Sequence, residues 1–117
     1  MPDYNNPQLM NVEEALGRIR GNKVLYNRML QMFLQGKDFE ALEESLANND
    51  YARAGEVAHA IKGVTGNLSL MALFEVSTQL MNELRHGEAP DEKTLTDYRF
   101  LLKETIQCVE GYLADNN

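Results

Sequence analysis

One stretch, residues 54–68, constrains this chain more than any other. Small or apolar residues recur there at helical spacing, which predicts a helix with one buried face; they are Ala54, Val57, Ala58, Ile61, Thr65 and Leu68. The opposite face carries a histidine, a lysine one turn further on, a glutamate and glycines, namely Gly55, Glu56, His59, Lys62, Gly63 and Gly66. The sequence therefore predicts a histidine that projects outward from a helix.

The three glycines on that outward face are unfavourable for the helix itself. A glycine inside a helix costs about 1 kcal/mol relative to alanine, so three cost roughly 2–3 kcal/mol. A typical domain is stable by only about 5–15 kcal/mol. We therefore expect the glycines to keep the surface around the histidine free of side chains, so that the backbone of another protein can approach closely.

The sequence also predicts helices in the rest of the chain. The apolar spacing and the helix-capping residues predict six helices, over residues 11–18, 22–35, 38–48, 51–67, 69–86 and 91–115. No segment alternates with period two, so we predict no strand. Because the connections are short, successive helices should be antiparallel neighbours. We expect an all-α fold, an antiparallel up-and-down four-helix bundle formed by the last four helices, with one or two extra N-terminal helices over one end or side.

Length fits a single domain spanning residues 1–117, with a bundle core over about 22–115 and a lead-in over 1–10. Within it, we expect Asn22 to cap the second helix and Ser69 to cap the fifth. The second helix should bury a stripe of apolar residues, which consists of Leu25, Met29, Met32 and Phe33.

Charge and cysteine content exclude several functions. A formal net charge of -7 disfavours binding to nucleic-acid backbones or anionic lipid, which needs clustered Lys and Arg. A single cysteine, Cys108, rules out an intramolecular disulfide and fits a reducing compartment. No basic, apolar leader opens the chain, and no segment approaches the roughly 20 apolar residues of a membrane span. We expect a cytoplasmic monomer that inserts in no membrane.

His59 is the candidate reactive group. An imidazole is nucleophilic near neutral pH, and an exposed one can take a phosphoryl group on nitrogen as a phosphoramidate. Lys62, three residues on, lies on the same helical face and can offset part of the phosphoryl charge. In water such a pair of charges at ~4 Å is worth about 1 kcal/mol, which tunes a site without creating one. Glu56, one turn earlier, opposes this effect.

Nothing around His59 indicates a complete enzyme. The chain has no glycine-rich phosphate loop and no Ser-His-Asp arrangement. We therefore expect a carrier of phosphoryl groups without kinase activity of its own. It needs no cofactor or metal, because magnesium and the acceptor aspartate would come from its partner.

Three other interpretations compete with this one. His59 can be an ordinary surface histidine, and an acidic helical bundle can bind partners without any chemistry. Glu56-x-x-His59 and Glu83-x-x-His86 also resemble the spacing of di-iron bundles. In a hairpin that turns near Leu68, however, His59 is level with residue 77, and His86 lies roughly 13 Å further along. A shared metal site is therefore disfavoured.

Residues 59–68, His-Ala-Ile-Lys-Gly-Val-Thr-Gly-Asn-Leu, resemble the signature of histidine-containing phosphotransfer domains of two-component relays. The similarity covers about residues 22–113; its centre is fairly specific and its flanks are generic helix. The resemblance implies that His59 is phosphorylated through Nε2, that Lys62 stabilises the phosphoryl group, and that Gly63 leaves room for the partner. It implies a response-regulator receiver domain or a sensor histidine kinase as that partner, with magnesium on the receiver.

Two positions depart from the family pattern. Ser69 stands where many members have glycine after the leucine, and Met81 stands where several place a glutamine that holds the histidine Nδ1. That bond would then be absent, or made by Thr78 or Asn82.

The partner should dock around His59. We expect contacts from the same helix and, at the border of the docking surface, from apolar residues of the first helix; these are Gly55, Glu56, Gly66, Val12, Leu16 and Ile19.

Overall fold

The computed structural model describes residues 5–116, which form helices and no strand. The six helices are α1 (Val12–Arg18), α2 (Lys23–Gln35), α3 (Asp38–Ala47), α4 (Tyr51–Asn67), α5 (Met71–Leu84) and α6 (Glu92–Asn116). This confirms the all-α class, and α4 has the predicted bounds. The prediction was less accurate for α5, because the observed helix ends at Leu84, two residues before the predicted end at residue 86. Residues 1–4 of the predicted lead-in lie outside the described part of the chain.

Side-chain caps determine where three of the helices begin. Asn11, Asn22 and Asp50 each accept a hydrogen bond from the backbone N–H three residues on, at 3.1, 3.0 and 3.2 Å. Such a bond satisfies a donor that the helix itself leaves without a partner. The capping role predicted for Asn22 is confirmed, and the cap at Asp50 starts the helix that carries His59.

Helix α4 lies at the centre of the packing. It packs most extensively against α5 and then α3, while α6 packs against α5. The Arg99 guanidinium of α6 donates two hydrogen bonds to the Glu43 carboxylate of α3, at 3.0 and 2.7 Å. The buried core draws on every helix and includes Ala15, Tyr26, Leu42, Ile61, Leu73 and Tyr98. No helix in the described range combines the length and the apolar character needed to cross a bilayer.

Helix α1 is fastened over the turn between α4 and α5. Arg18 Nη1 donates to the carbonyl oxygens of Gly66 and Asn67, both at 3.1 Å, and to Ser69 Oγ at 2.8 Å. Ser69 Oγ in turn donates to Glu14 Oε1 at 2.9 Å. The first helix therefore covers one end of the α4–α5 pair. This agrees with the expectation that an N-terminal helix lies over one end or one side of the bundle.

The prediction that Ser69 caps α5 was wrong. The capping position is Leu70, and it makes no side-chain capping bond. Ser69 is fully buried and has a left-handed backbone, with φ of 57°. This conformation costs a residue with a side chain roughly 1–2 kcal/mol relative to its ordinary one. The bonds of its hydroxyl group to α1 offset that cost, and they also make the hydroxyl unavailable as a cap.

The buried stripe predicted for α2 was confirmed for Phe33, which is buried, and for Met29, which packs half-buried against the core, but it was wrong for the other two residues. Met32 is 64% exposed and Leu25 is 37% exposed, whereas Tyr26 and Leu30 are buried together with Phe33. The helix carries apolar residues on two sides, so periodicity alone did not select the buried one. Tyr26 decides the orientation, because its hydroxyl donates a hydrogen bond of 3.0 Å to the buried carbonyl oxygen of Leu68.

Two buried tyrosines should make the fold sensitive to alkaline pH. Burial is the main cause that raises the pKa of both Tyr26 and Tyr98 above the ordinary value. Their contribution to stability is full below about pH 10, where tyrosine in the unfolded chain is still protonated. It is lost as the pH rises further, because the unfolded chain then ionises first.

We predict that urea unfolding will show a lower free energy at about pH 11 than at about pH 8. Tyr98→Phe should reduce this loss and have little effect at neutral pH, because the Tyr98 hydroxyl has no hydrogen-bond partner among the described residues. If the free energy of unfolding falls equally in Tyr98→Phe and in the native chain, Tyr98 does not contribute to the pH dependence, which would contradict this prediction.

Candidate functional site

His59 lies exposed on α4, on the side of that helix next to α5. Its ring nitrogen Nδ1 is 3.2 Å from Met81 Sδ of α5. Ile61 and Ala58, its neighbours along the buried side of α4, are in the core and hold the backbone beneath it in place. The ring is therefore attached to a rigid helix, contacts one side chain of the adjacent helix, and is accessible from outside.

His59 lines an open groove of about 540 Å³ between α4 and α5. The walls come from both helices and comprise Ala52, Gly55, Glu56, His59, Lys62, Met81, Leu84 and Arg85. Two cationic side chains, Lys62 and Arg85, therefore share the groove with the imidazole, and Glu56 is the one anionic side chain. This balance of charge favours an anionic group beside His59.

The glycines of α4 differ in what surrounds them. A Cβ built on Gly63 would meet nothing within 4 Å, whereas one on Gly66 would lie 3.0 and 3.1 Å from two ring carbons of Phe74. A Cβ on Gly55 would lie 3.5 Å from Leu84 Cβ. The expectation that all three leave the surface open is therefore wrong for Gly66, where a side chain would be too close to the Phe74 ring of α5, whereas Gly55 faces Leu84 at an ordinary contact distance.

These contacts also fix the register between the two helices. Gly66 lies beside Phe74, His59 beside Met81, and Gly55 beside Leu84, so α4 and α5 run in opposite directions. His59 is thus level with Met81 and not with residue 77. The turn is centred near residue 70, because Ser69 adds a left-handed residue before α5 begins.

The hydrogen-bond partner of Nδ1 differs from both side chains considered from the sequence. Thr78 Oγ1 donates to the carbonyl oxygen of Phe74 at 2.8 Å, and Asn82 Oδ1 accepts from Arg85 Nη2 at 3.1 Å. The contact to Nδ1 comes from Met81 itself. Helical spacing could have indicated Met81 and Arg85 together, since residues four apart lie on one helical face and Arg85 directly follows the last residue of α5. This indication would have needed the correct register between the two helices.

The register also revises the argument about a metal site. His86 lies five residues beyond Met81, about 7.5 Å along the axis, so the estimate of 13 Å was too long. The Glu83 carboxylate, however, is hydrogen-bonded at the start of α6. It accepts from Thr94 Oγ1 at 2.7 Å and from the backbone N–H of Asp91 at 2.8 Å. Within residues 5–116, no three His, Cys, Asp or Glu side chains are grouped as metal ligands.

The apolar residues of α1 lie apart from this groove. Val12, Leu16 and Ile19 are half-buried and pack against the core, and they are not among the residues that line the groove. Gly55 and Glu56 do line it, together with His59 and Lys62. The structure thus brings four of the predicted site residues into one groove, and the docking role of α1 stays a prediction.

A family model described as the Hpt domain matches residues 28–112, most of the 117-residue chain. The chain belongs to the Hpt domain family. Hpt domains carry out histidine phosphotransfer in two-component phosphorelays, where they interact with response regulators and histidine kinases. Neither the curated proteins nor the solved structures contain a match to the chain. The matched range includes α4, α5 and the whole groove around His59.

The different surroundings of two glycines in this Hpt domain give a test of the site geometry. We predict that Gly63→Ala stabilises the protein by about 0.5–1 kcal/mol, because alanine is the better helix residue and the added carbon meets open space. Gly66→Ala should give little or none of this gain, since the Phe74 ring must move. Urea unfolding of the two variants measures the difference, and equal stabilisation would contradict the close approach of α5 at Gly66.

Proposed function

We propose that this Hpt domain accepts a phosphoryl group on His59 Nε2 and exchanges it with the aspartate of a response-regulator receiver domain. The observation that carries the proposal is an exposed histidine, in a chain of this family, on a rigid helix beside an open glycine position. Nδ1 contacts Met81, so Nε2 is the ring nitrogen left for a reaction.

The transfer would be a direct displacement at phosphorus. The lone pair of Nε2 attacks the phosphorus atom of the aspartyl phosphate, an N–P bond forms, and the P–O bond to the carboxylate breaks. The carboxylate leaves with the electron pair, and the reverse step regenerates the aspartyl phosphate. Charge is spread over the phosphoryl oxygens during the transfer, so positioning and cationic side chains are the main contributions a protein can make.

Lys62 and Arg85 would supply the cationic side chains on this chain, since both line the groove with His59. The magnesium ion that binds the phosphoryl oxygens is expected on the receiver domain. Gly63 would give the receiver access, because no side chain stands between its position and solvent. Gly55 and Glu56, which line the groove, remain the proposed docking residues of α4, with Val12, Leu16 and Ile19 at the border. Gly66 packs against Phe74 and is no longer one of them.

The fold we propose for this task is an antiparallel up-and-down four-helix bundle made of α3 to α6. It is supported by the packing of α4 against α3 and α5, and of α5 against α6. In such a bundle α4 is held from two sides, and its outward face stays open for a partner. A monomer suffices, because one groove contains the whole set of reactive and cationic groups.

A docking module without chemistry is the second candidate. An apolar groove of about 310 Å³ lies between α2, α3 and α4, with the exposed Met32 and Val64 among its walls. Such a surface can bind another protein whether or not His59 reacts. The two functions differ in whether the chain takes up a phosphoryl group at all, and a docking module would keep its binding in His59→Gln.

The test is transfer from phosphorylated receiver domains encoded in the same genome. We predict acid-labile, base-stable label on the native chain and none on His59→Gln, with helicity unchanged. His86→Gln is the matched control, because it removes the other histidine, which is exposed and lies beyond the end of α5. That variant should be labelled like the native chain.

Gly63→Leu should fold, because its side chain points into open space, but should slow the transfer by about a hundredfold through misplacement of the partner. Normal transfer by Gly63→Leu would contradict the docking geometry. Label that persists in His59→Gln would contradict the role of His59. A native chain that binds the receiver domain but takes up no label would leave the docking module as the better account.

A further inference from the structure

The contact between Met81 and His59 joins two groups with different hydrogen-bonding capacities. Met81 is half-buried, lines the same groove as His59, and places Sδ 3.2 Å from Nδ1. A thioether sulfur has no proton and can only accept a hydrogen bond, weakly. A neutral imidazole has one nitrogen that donates and one that accepts.

It follows that only one tautomer of His59 satisfies this contact. When Nδ1 carries the proton, the N–H donates to the sulfur. When Nε2 carries it, the lone pair of Nδ1 faces the lone pairs of the sulfur, and no hydrogen bond forms. A side-chain amide would leave this choice open, because it offers both a donor and an acceptor. The thioether can only accept, so it satisfies one tautomer and not the other.

The choice of tautomer decides which nitrogen can react. Which ring nitrogen of a histidine is protonated is set by the hydrogen bond of the other. With the proton on Nδ1, the lone pair of Nε2 is available to attack phosphorus. After transfer Nδ1 still carries its proton, so the same bond to Sδ holds in the phosphorylated protein.

We propose that Met81 is a positioning residue that holds neutral His59 in the Nδ1–H tautomer through its thioether, and thereby makes Nε2 the nucleophile. The role in catalysis rests on the proposed function, whereas the choice of tautomer does not. Arg85 and Asn82 bond to each other, and Thr78 bonds to the backbone of α5. Met81 is thus the one α5 side chain in the described structure that bonds to this ring.

The direct test is the tautomer itself, read from the ¹⁵N chemical shifts of the two ring nitrogens in the neutral state. We expect the native chain to be mainly Nδ1–H and Met81→Leu to lose Nδ1–H population. Met81→Gln should also have a lower Nδ1–H population than the native chain, because its amide can donate to Nδ1 as well as accept from it. Leucine keeps the apolar bulk and removes the acceptor, whereas glutamine offers both an acceptor and a donor. Met71→Leu is the matched control, since it makes the same change on α5 about 15 Å away along the axis, and it should leave the ring shifts unchanged.

The kinetic test uses a phosphorylated receiver domain as donor. Met81→Leu should slow phosphoryl uptake by about two- to tenfold, the range that the loss of one hydrogen bond represents. Met71→Leu should match the native chain. Equal Nδ1–H populations in the native chain and Met81→Leu would overturn the proposal, and so would slower transfer without a change of tautomer.

The two proposals can fail separately. A native chain that takes up no phosphoryl group refutes the proposed function, but the ring shifts still report whether Met81 selects the tautomer. A chain that transfers normally while Met81→Leu keeps the native shifts refutes the role of Met81 alone.

Discussion

The close packing of α4 against α5 is the constraint on which the rest of the structure depends. Gly66 lies against the ring of Phe74, where a Cβ would be too close, and Gly55 lies beside Leu84, so the two helices are in contact on both sides of His59. Between those contacts the ring of His59 meets Met81. A larger residue at Gly66 would have to displace the Phe74 ring and so disturb the packing of α4 against α5.

Much of the fold could be predicted from local signals. The bounds of α4 follow from the cap at Asp50 and from an unbroken apolar stripe that ends near Leu68. The motif from His59 to Leu68 indicated the family. The bounds of α5 were less certain, because the sequence offers Ser69 as an ordinary cap and does not reveal that its hydroxyl group bonds to α1.

What the sequence could not supply was the relation between helices. Helical spacing shows which residues share a face, but not whether that face meets solvent or a neighbouring helix. Gly66 and Gly63 therefore looked equivalent, although one packs against Phe74 and the other is open. The left-handed Ser69 shifted the register by several residues, and with it the identity of the side chain next to His59. On α2, the bond from Tyr26 to Leu68 chose between two apolar sides.

The chemistry assigned to this domain is simple, because it needs one nucleophilic nitrogen, a neighbouring positive charge and an unobstructed approach. A protein with net charge -7 keeps Lys62 and Arg85 in the groove of His59, where a phosphoryl group would need them. The most direct test of this account is the ³¹P–¹⁵N coupling in the phosphorylated, ¹⁵N-labelled protein, which identifies the nitrogen bonded to phosphorus. The account predicts a coupling to Nε2 of His59. A phosphorus atom bonded to Nδ1, or carried by any other residue, would contradict it.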